Sequence, residues 1–134
     1  MRLGILLTSL IVAGLFATPV AYAGNPFEIV IELSKAEYKV GETLDGKIEI
    51  ENQYPATLPV TFEMKLYHNG KFKRDARVYV KGFPSGDLSF ELKVFRLPQQ
   101  PFKRKDLGVW TIVIKQLSAD DSTAAKLEFK VVEK

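Results

Sequence analysis

Residues 60–80 read VTFEMKLYHNGKFKRDARVYV, two runs of alternating apolar and polar residues joined by Asn69-Gly70. Alternation with a period of two is typical of a strand that buries one face. Asn-Gly is the strongest short-range signal for a two-residue hairpin turn, because both residues tolerate a positive φ. The stretch therefore predicts an antiparallel β-hairpin. Its inward-facing positions are expected to be Val60, Phe62, Met64 and Leu66 on the first strand and Phe72, Arg74, Ala76, Val78 and Val80 on the second.

The same period recurs along most of the chain after residue 26. Five further runs alternate in this way, at 27–33, 44–50, 88–94, 110–114 and 127–131, and turn-forming residues separate them. The one long connection, 96–107, contains LPQQPFKRKD, whose prolines and charges favour an extended crossover between two sheets. Without a helical period or an internal repeat, these runs predict an all-β sandwich of about seven antiparallel strands in two sheets, with Trp110 shut between them.

The N-terminus indicates export. Arg2 precedes the apolar run LGILLTSLIVAGLFA, which is followed by Pro19 and the small-residue triplet Ala21-Tyr22-Ala23. An uncleaved membrane anchor is the weaker interpretation, because the run falls short of the ~20 residues that a spanning helix needs. We therefore predict a signal peptide at residues 1–23, cleaved after Ala23, and a single soluble domain at 24–134 without a transmembrane segment. The predicted localisation is secreted or periplasmic.

The composition and the motifs argue against an enzyme. A formal net charge of +3 is too small to indicate a nucleic-acid partner, and the absence of cysteine removes disulfides, thiolate ligands and thiolate nucleophiles. His68 is the only histidine and stands next to the Asn-Gly turn, where we expect a solvated side chain. The motifs of serine hydrolases, phosphate-binding loops and zinc proteases do not occur. We expect no catalytic residue, no cofactor and no transition-metal site.

One cation site stays open. Asp120 and Asp121 are adjacent acids in a turn, and Asp87 follows another turn that the fold could bring to the same end of the domain. Calcium requires several converging oxygen ligands, so the sequence leaves open whether these three carboxylates meet.

Three segments resemble a known group of domains. Residues 37–43, EYKVGET, are similar to the Y-x-P-G-[ED]-x-[VL] signature at the start of bacterial immunoglobulin-like and macroglobulin-type (MG2-like) domains. GVWTI at 108–112 and LEFKV at 127–131 resemble two later strands of that group. Val40 stands where the signature usually has proline, and no thioester or bait-like region is present, so proteinase trapping is not implied. The resemblance implies an immunoglobulin-like fold and binding to other macromolecules.

The predicted sandwich assigns the loops to two ends, because successive strands cross the domain. The connections 34–43, 68–71 and 95–108 share one end, which collects Lys35, Lys39, His68, Lys71, Phe102, Lys103, Arg104 and Lys105. The connections 52–58, 81–87 and 116–123 share the other, which holds Tyr54, Phe83, Asp87, Asp120 and Asp121. The domain is predicted to be basic at one end and mixed aromatic and acidic at the other.

Two interpretations of the basic end compete. Phe102 with Lys103, Arg104 and Lys105 could dock on an acidic partner, with Tyr54 and Phe83 as a second surface at the opposite end. Alternatively, Phe102 folds back over the core and the charges only solvate a long connection. The predicted function is non-covalent protein–protein binding in the cell envelope, and the alternative is a secreted protease inhibitor or small-ligand carrier that uses the same end loops.

Overall fold

The structure, a computed structural model, describes residues 15–16, 19–20, 26–117 and 124–134, with side chains described over 26–117 and 125–134. It is built from strands and two short 3₁₀ helices, Leu92–Phe95 and Arg104–Asp106. The strands are β1 (Leu15–Phe16), β2 (Pro19–Val20), β3 (Phe27–Leu33), β4 (Glu37–Lys39), β5 (Gly46–Asn52), β6 (Leu58–His68), β7 (Lys71–Phe83), β8 (Gly86–Glu91), β9 (Gly108–Gln116) and β10 (Ala124–Val132). No helix in this part of the chain is long and apolar enough to cross a membrane.

The strands form two sheets that face each other. One sheet has the order β1-β3-β5-β8 and the other has the order β2-β10-β9-β6-β7, with β4 pairing in parallel to β10. The order β3-β5-β8 corresponds to strands A, B and E of an immunoglobulin domain, and β10-β9-β6-β7 corresponds to G, F, C and C′. The predicted immunoglobulin-like sandwich is confirmed. The long connection after β8 passes from the first sheet to the second, as predicted.

The hairpin that opened the sequence analysis is formed by β6 and β7. Asn69 and Gly70 have φ angles of 51° and 81°, the positive values that a type I′ turn requires. The register pairs Val60 with Val80 and Phe62 with Val78, which places their side chains on the inner face. The predicted hairpin is confirmed in position and in phase up to Leu66.

A β-bulge changes the phase of the hairpin near its turn. Leu66 pairs with Arg74 but Tyr67 pairs with Phe72, so Lys73 is an extra residue on β7. Because one added residue reverses the alternation of the strand, Phe72 faces outward and is 55% exposed. The prediction that Phe72 points inward is wrong for this reason.

The predicted strand at 88–94 is shorter than its pattern indicated. β8 ends at Glu91, and Leu92–Phe95 forms a 3₁₀ helix. Side chains three residues apart share one side of such a helix, so Leu92 and Phe95 are both buried while Val94 is 40% exposed. The alternation at 88–94 predicts that Leu88, Phe90, Leu92 and Val94 face inward. That prediction is wrong for Val94 and confirmed for Leu92.

The core lies between the sheets and contains the predicted alternating residues. Trp110 is 5% exposed, and Phe62 and Ile112 are fully buried. Ile29, Ile31, Ile48 and Ile50 come from the first sheet, and Phe62, Met64, Ile112, Ile114 and Phe129 come from the second. The protein closes this core without cysteine.

Two short strands lie within the predicted signal peptide. β1 pairs with Leu33 and Glu32 of β3, and β2 pairs with Ala124 and Ala125 of β10. The signal peptide and its cleavage after Ala23 stay predictions.

A candidate binding groove at the basic end

The stretch 37–43 holds the long connection in place. Gly41, with a φ of 97°, donates its N–H to the Phe102 carbonyl at 2.8 Å, and the Phe102 N–H returns a bond of 2.8 Å to the Glu42 carbonyl. The Glu42 carboxylate accepts the Lys39 N–H at 2.7 Å and pairs with the Lys35 ammonium at 2.7 Å. These bonds, that to Lys35 first, hold the pKa of Glu42 below its ordinary value. The turn therefore acts as scaffold for the basic loop.

Phe102 closes the core at this end. Its side chain is 3% exposed, and its ring centroid lies 5.7 Å from that of Tyr38 and 6.0 Å from that of Phe129. A buried ring cannot serve as the exposed apolar anchor of the docking hypothesis. The alternative interpretation, in which Phe102 folds back over the core, describes its position. Lys103, Arg104 and Lys105 are exposed beside it, and a binding role for them stays a prediction.

The short 3₁₀ helix Arg104–Asp106 separates these three cations, so that two of them line a groove and one does not. The Asp106 carboxylate accepts the Lys103 N–H at 2.7 Å, and the Asp106 carbonyl accepts the indole N–H of Trp110 at 2.8 Å. With the turn fixed in this way, Lys103 and Lys105 line a groove, whereas Arg104 lies outside it with its Nε 3.7 Å from a Glu133 carboxylate oxygen.

His68 is part of the groove and is not the solvated turn residue that was expected. Its imidazole stacks on the Trp110 indole, with ring centroids 4.2 Å apart and an interplanar angle of 11°. Its Nε2 lies 2.8 Å from the Leu107 carbonyl oxygen. Because a carbonyl only accepts, this nitrogen carries the hydrogen. The cross-strand register that pairs His68 with Trp110 explains the contact, and the sequence carries no local signal for it.

The groove has a volume of about 490 Å³ and lies between the start of β7 and the long connection. Pro98 to Phe102 form one wall, and the other lining residues that concern its chemistry are His68, Lys73, Arg74, Lys103, Lys105, Asp106 and Trp110. Arg74 Nη1 donates to the Arg96 carbonyl at 2.9 Å, which fixes the guanidinium against the connection. Four cations therefore surround the groove with one carboxylate.

Sequence reasoning missed Lys73 and Arg74. Arg74 was assigned to the inner face, and its register partner Leu66 is indeed buried, but at this point the sandwich opens into the groove and Arg74 is exposed. Lys73 is the extra residue of the bulge, and bulges commonly redirect side chains in this way. No residue pattern in the sequence marks the bulge.

The opposite end of the sandwich has fewer predicted binding residues in exposed positions. Phe83 is fully buried, with its ring 5.2 Å from Phe27 and 6.1 Å from Phe62, so it is not available as an exposed anchor. Tyr54 is 51% exposed. Asp120 and Asp121 lie outside the described residues, so their convergence with Asp87 is untested. Across the ranges that the structure does describe, no three His, Cys, Asp or Glu side chains cluster as metal ligands.

Much of the negative charge lies on a face of the sandwich rather than at an end. The register of the first sheet places a set of acidic residues in the phase opposite to the buried isoleucines, with Lys47 among them. This set comprises Glu32, Glu49, Glu51, Asp87 and Glu91, whereas Glu28 shares their phase but is only 5% exposed. The predicted acidic end was assembled from loop residues, so of the acids on this face it included Asp87 and left out the others.

Comparisons with known proteins concern the fold alone. No protein-family model matches the chain, and a search of curated proteins found no match. The chain is similar to part of a cycloisomaltooligosaccharide glucanotransferase from Paenibacillus sp., at 14% identity and a TM-score of 0.51, over 75% of this chain and 13% of that protein. It is also similar to the CARDB domain of the PF1109 protein from Pyrococcus furiosus, solved with di-metal ions, at 15% identity and a TM-score of 0.49, over 84% of this chain and all of that domain.

Proposed function

We propose that the protein is a secreted or periplasmic immunoglobulin-like module that acts by non-covalent protein–protein binding and docks its basic end on an acidic surface of a partner in the cell envelope. The observation that carries the proposal is the groove, where cations from two separate elements surround one cavity. Such an arrangement favours an acidic partner by charge complementarity and steers its approach. The resemblance of residues 37–43 to MG2-like domains, a group of binding scaffolds, supports the same class of function.

The docking surface is tested by replacing Lys103, Arg104 and Lys105 together with alanine. Partners captured from the envelope fraction by the unaltered mature protein should bind the variant more weakly and with a flatter salt dependence, because fewer screened charges take part. A matched control replaces three exposed lysines outside the loop, Lys81, Lys126 and Lys130, and should bind as before. Equal binding by the loop variant and the unaltered protein would exclude the basic end as the docking surface.

Export is tested separately. The exported protein should begin at Gly24, which intact-mass measurement of the periplasmic or secreted fraction would detect. A protein that keeps residues 1–23 contradicts the proposed cleavage.

The second candidate function is that of a carrier for a small anionic ligand. It is favoured by the groove volume of about 490 Å³, which falls in the range of small-molecule sites. Protease inhibition through the same loops is tested with a panel of proteases. Stoichiometric inhibition of one of them would support the inhibitor function and contradict the docking proposal.

A further inference from the structure

We propose that the groove binds an acidic peptide segment of the partner, with its carboxylates received by Arg74, Lys73, Lys103 and Lys105. This inference rests on the proposed function and names the part of the basic end that recognises the ligand. It predicts that cations inside the groove contribute to binding and that Arg104, outside it, does not.

The groove is built before any ligand arrives. Pro98 and Pro101 restrict the backbone of one wall, and the reciprocal bonds between Phe102 and residues 41–42 tie that wall to the scaffold. Arg74 is held by its bond to the Arg96 carbonyl, so little freedom is lost when its guanidinium receives a carboxylate. A guanidinium has five N–H donors, and this bond engages one of its nitrogens, Nη1.

The electrostatics of the groove favour an anion with more than one charge. Lys73, Arg74, Lys103 and Lys105 face a single lining carboxylate, that of Asp106, which already accepts the Lys103 N–H. Cations from β7 and from the long connection both line the groove, so a ligand with carboxylates at intervals along a chain can meet both sets. Arginine and lysine together suit carboxylates, the first by paired hydrogen bonds and the second as a point charge.

The covered position of Trp110 in the groove favours a peptide ligand over a nucleic acid or a sugar. Bases and sugar rings are usually held on an exposed aromatic face. Trp110 is only 5% exposed, because His68 stacks at 4.2 Å and Phe129 lies parallel to it with a centroid distance of 6.2 Å. The indole can therefore report on the groove but offers no stacking platform.

Trp110 provides the measurement, since it is the only tryptophan in the chain and lines the groove. Pentaglutamate titrated into the mature protein should change its fluorescence saturably at low salt, and pentalysine should not. Arg74→Gln should weaken pentaglutamate binding by about tenfold or more, which corresponds to the loss of one charge-assisted hydrogen-bond pair. Arg104→Gln is the matched control, with the same charge change at the same end of the domain but outside the groove, and should stay within about twofold. Circular dichroism of each variant checks that the fold is kept.

The outcomes separate this inference from the proposed function. If both arginine variants weaken pentaglutamate binding equally, general attraction explains it and the groove assignment is overturned, while docking by the basic end stands. If citrate binds as tightly as pentaglutamate, the groove is a small-anion site and the peptide assignment is wrong. If pentaglutamate binds with the expected arginine dependence but partner capture ignores Lys103, Arg104 and Lys105, the proposed function fails and the acidic-peptide site remains.

Discussion

The two ends of the sandwich are closed in the same way but leave different chemistry exposed. At each end a phenylalanine is buried against other aromatic rings, Phe102 from the long connection at one end and Phe83 from the end of β7 at the other. At the Phe102 end the groove is lined by four cations. At the Phe83 end Tyr54 is a large side chain that is exposed. The comparison teaches that apolar residues at the ends of a domain of this size complete the core, and that recognition is left to the charges around them.

The largest expected effects come from removing the two closing rings. Phe83→Ala and Phe102→Ala should each lower the free energy of unfolding by about 3–5 kcal/mol, with Phe83 at the upper end because it contacts Phe27, Phe62 and Phe90. Urea unfolding measures the change, and Tyr54→Ala serves as a control that should stay within about 0.5 kcal/mol. Unaltered stability of Phe102→Ala would mean that the ring is free in solution, and the exposed-anchor hypothesis would return.

At each end of the sandwich an asparagine side chain holds a loop by hydrogen bonds. The loss of unfolding free energy on replacing it should be larger for the more buried of the two. Asn52 is 1% exposed, donates to the carbonyls of Ala56 and Phe83, and accepts the Tyr54 N–H at 2.9 Å. Asn52→Ala should cost about 2–3 kcal/mol, since it leaves buried backbone groups without a partner. Asn69→Gly, which keeps the positive φ but loses the 2.9 Å bond from the Val109 N–H at an exposed site, should cost less than about 1 kcal/mol. Equal losses of unfolding free energy for the two variants, measured in urea, would contradict the view that only Asn52 makes its hydrogen bonds away from water.

Gly108 joins the long connection to β9 at the basic end. Its φ is 126°, and a Cβ there would collide with the side-chain amide of Asn69. Gly108→Ala should cost about 1–3 kcal/mol and speed hydrogen exchange of the Val109 amide. Gly70→Ala is the matched control, because Gly70 also has a positive φ but open space around it, and it should cost about 1 kcal/mol. A larger loss at Gly70 than at Gly108 would show that the contact with Asn69 does not form.

The smallest effect concerns the turn that carries the basic loop. Because the pKa of Glu42 is lowered in the folded protein, its ion pair with Lys35 stabilises the fold at pH values above the ordinary 4.5. That contribution is lost as the pH falls through the lowered value. Glu42→Gln should therefore flatten the pH dependence of the urea midpoint in this acidic window, and Lys35→Gln should do so as well. A pH profile identical to that of the unaltered protein would show that the exposed pair contributes nothing in solution.

The sequence predicted the strands better than it predicted their ends. The paired runs of 60–66 and 76–80 lie in the predicted phase because alternation fixes which face of a strand an apolar side chain occupies. Phe72 and Val94 were misplaced because a bulge and a 3₁₀ turn interrupt that alternation. Neither interruption has a signature of its own, since each depends on how the strand end packs against its neighbours.

The sequence by itself determined most of the strands, the hairpin at Asn69-Gly70 and the cluster of cations at residues 103–105, because each follows from residues that are close along the chain. Only the tertiary structure decided that Phe102 and Phe83 are covered, that Lys73 and Arg74 join the cations of the long connection, and that His68 stacks on Trp110. The physical reason is that burial and charge proximity depend on which distant segments meet. A local pattern gives the direction of a side chain, but the atoms that it meets belong to other strands.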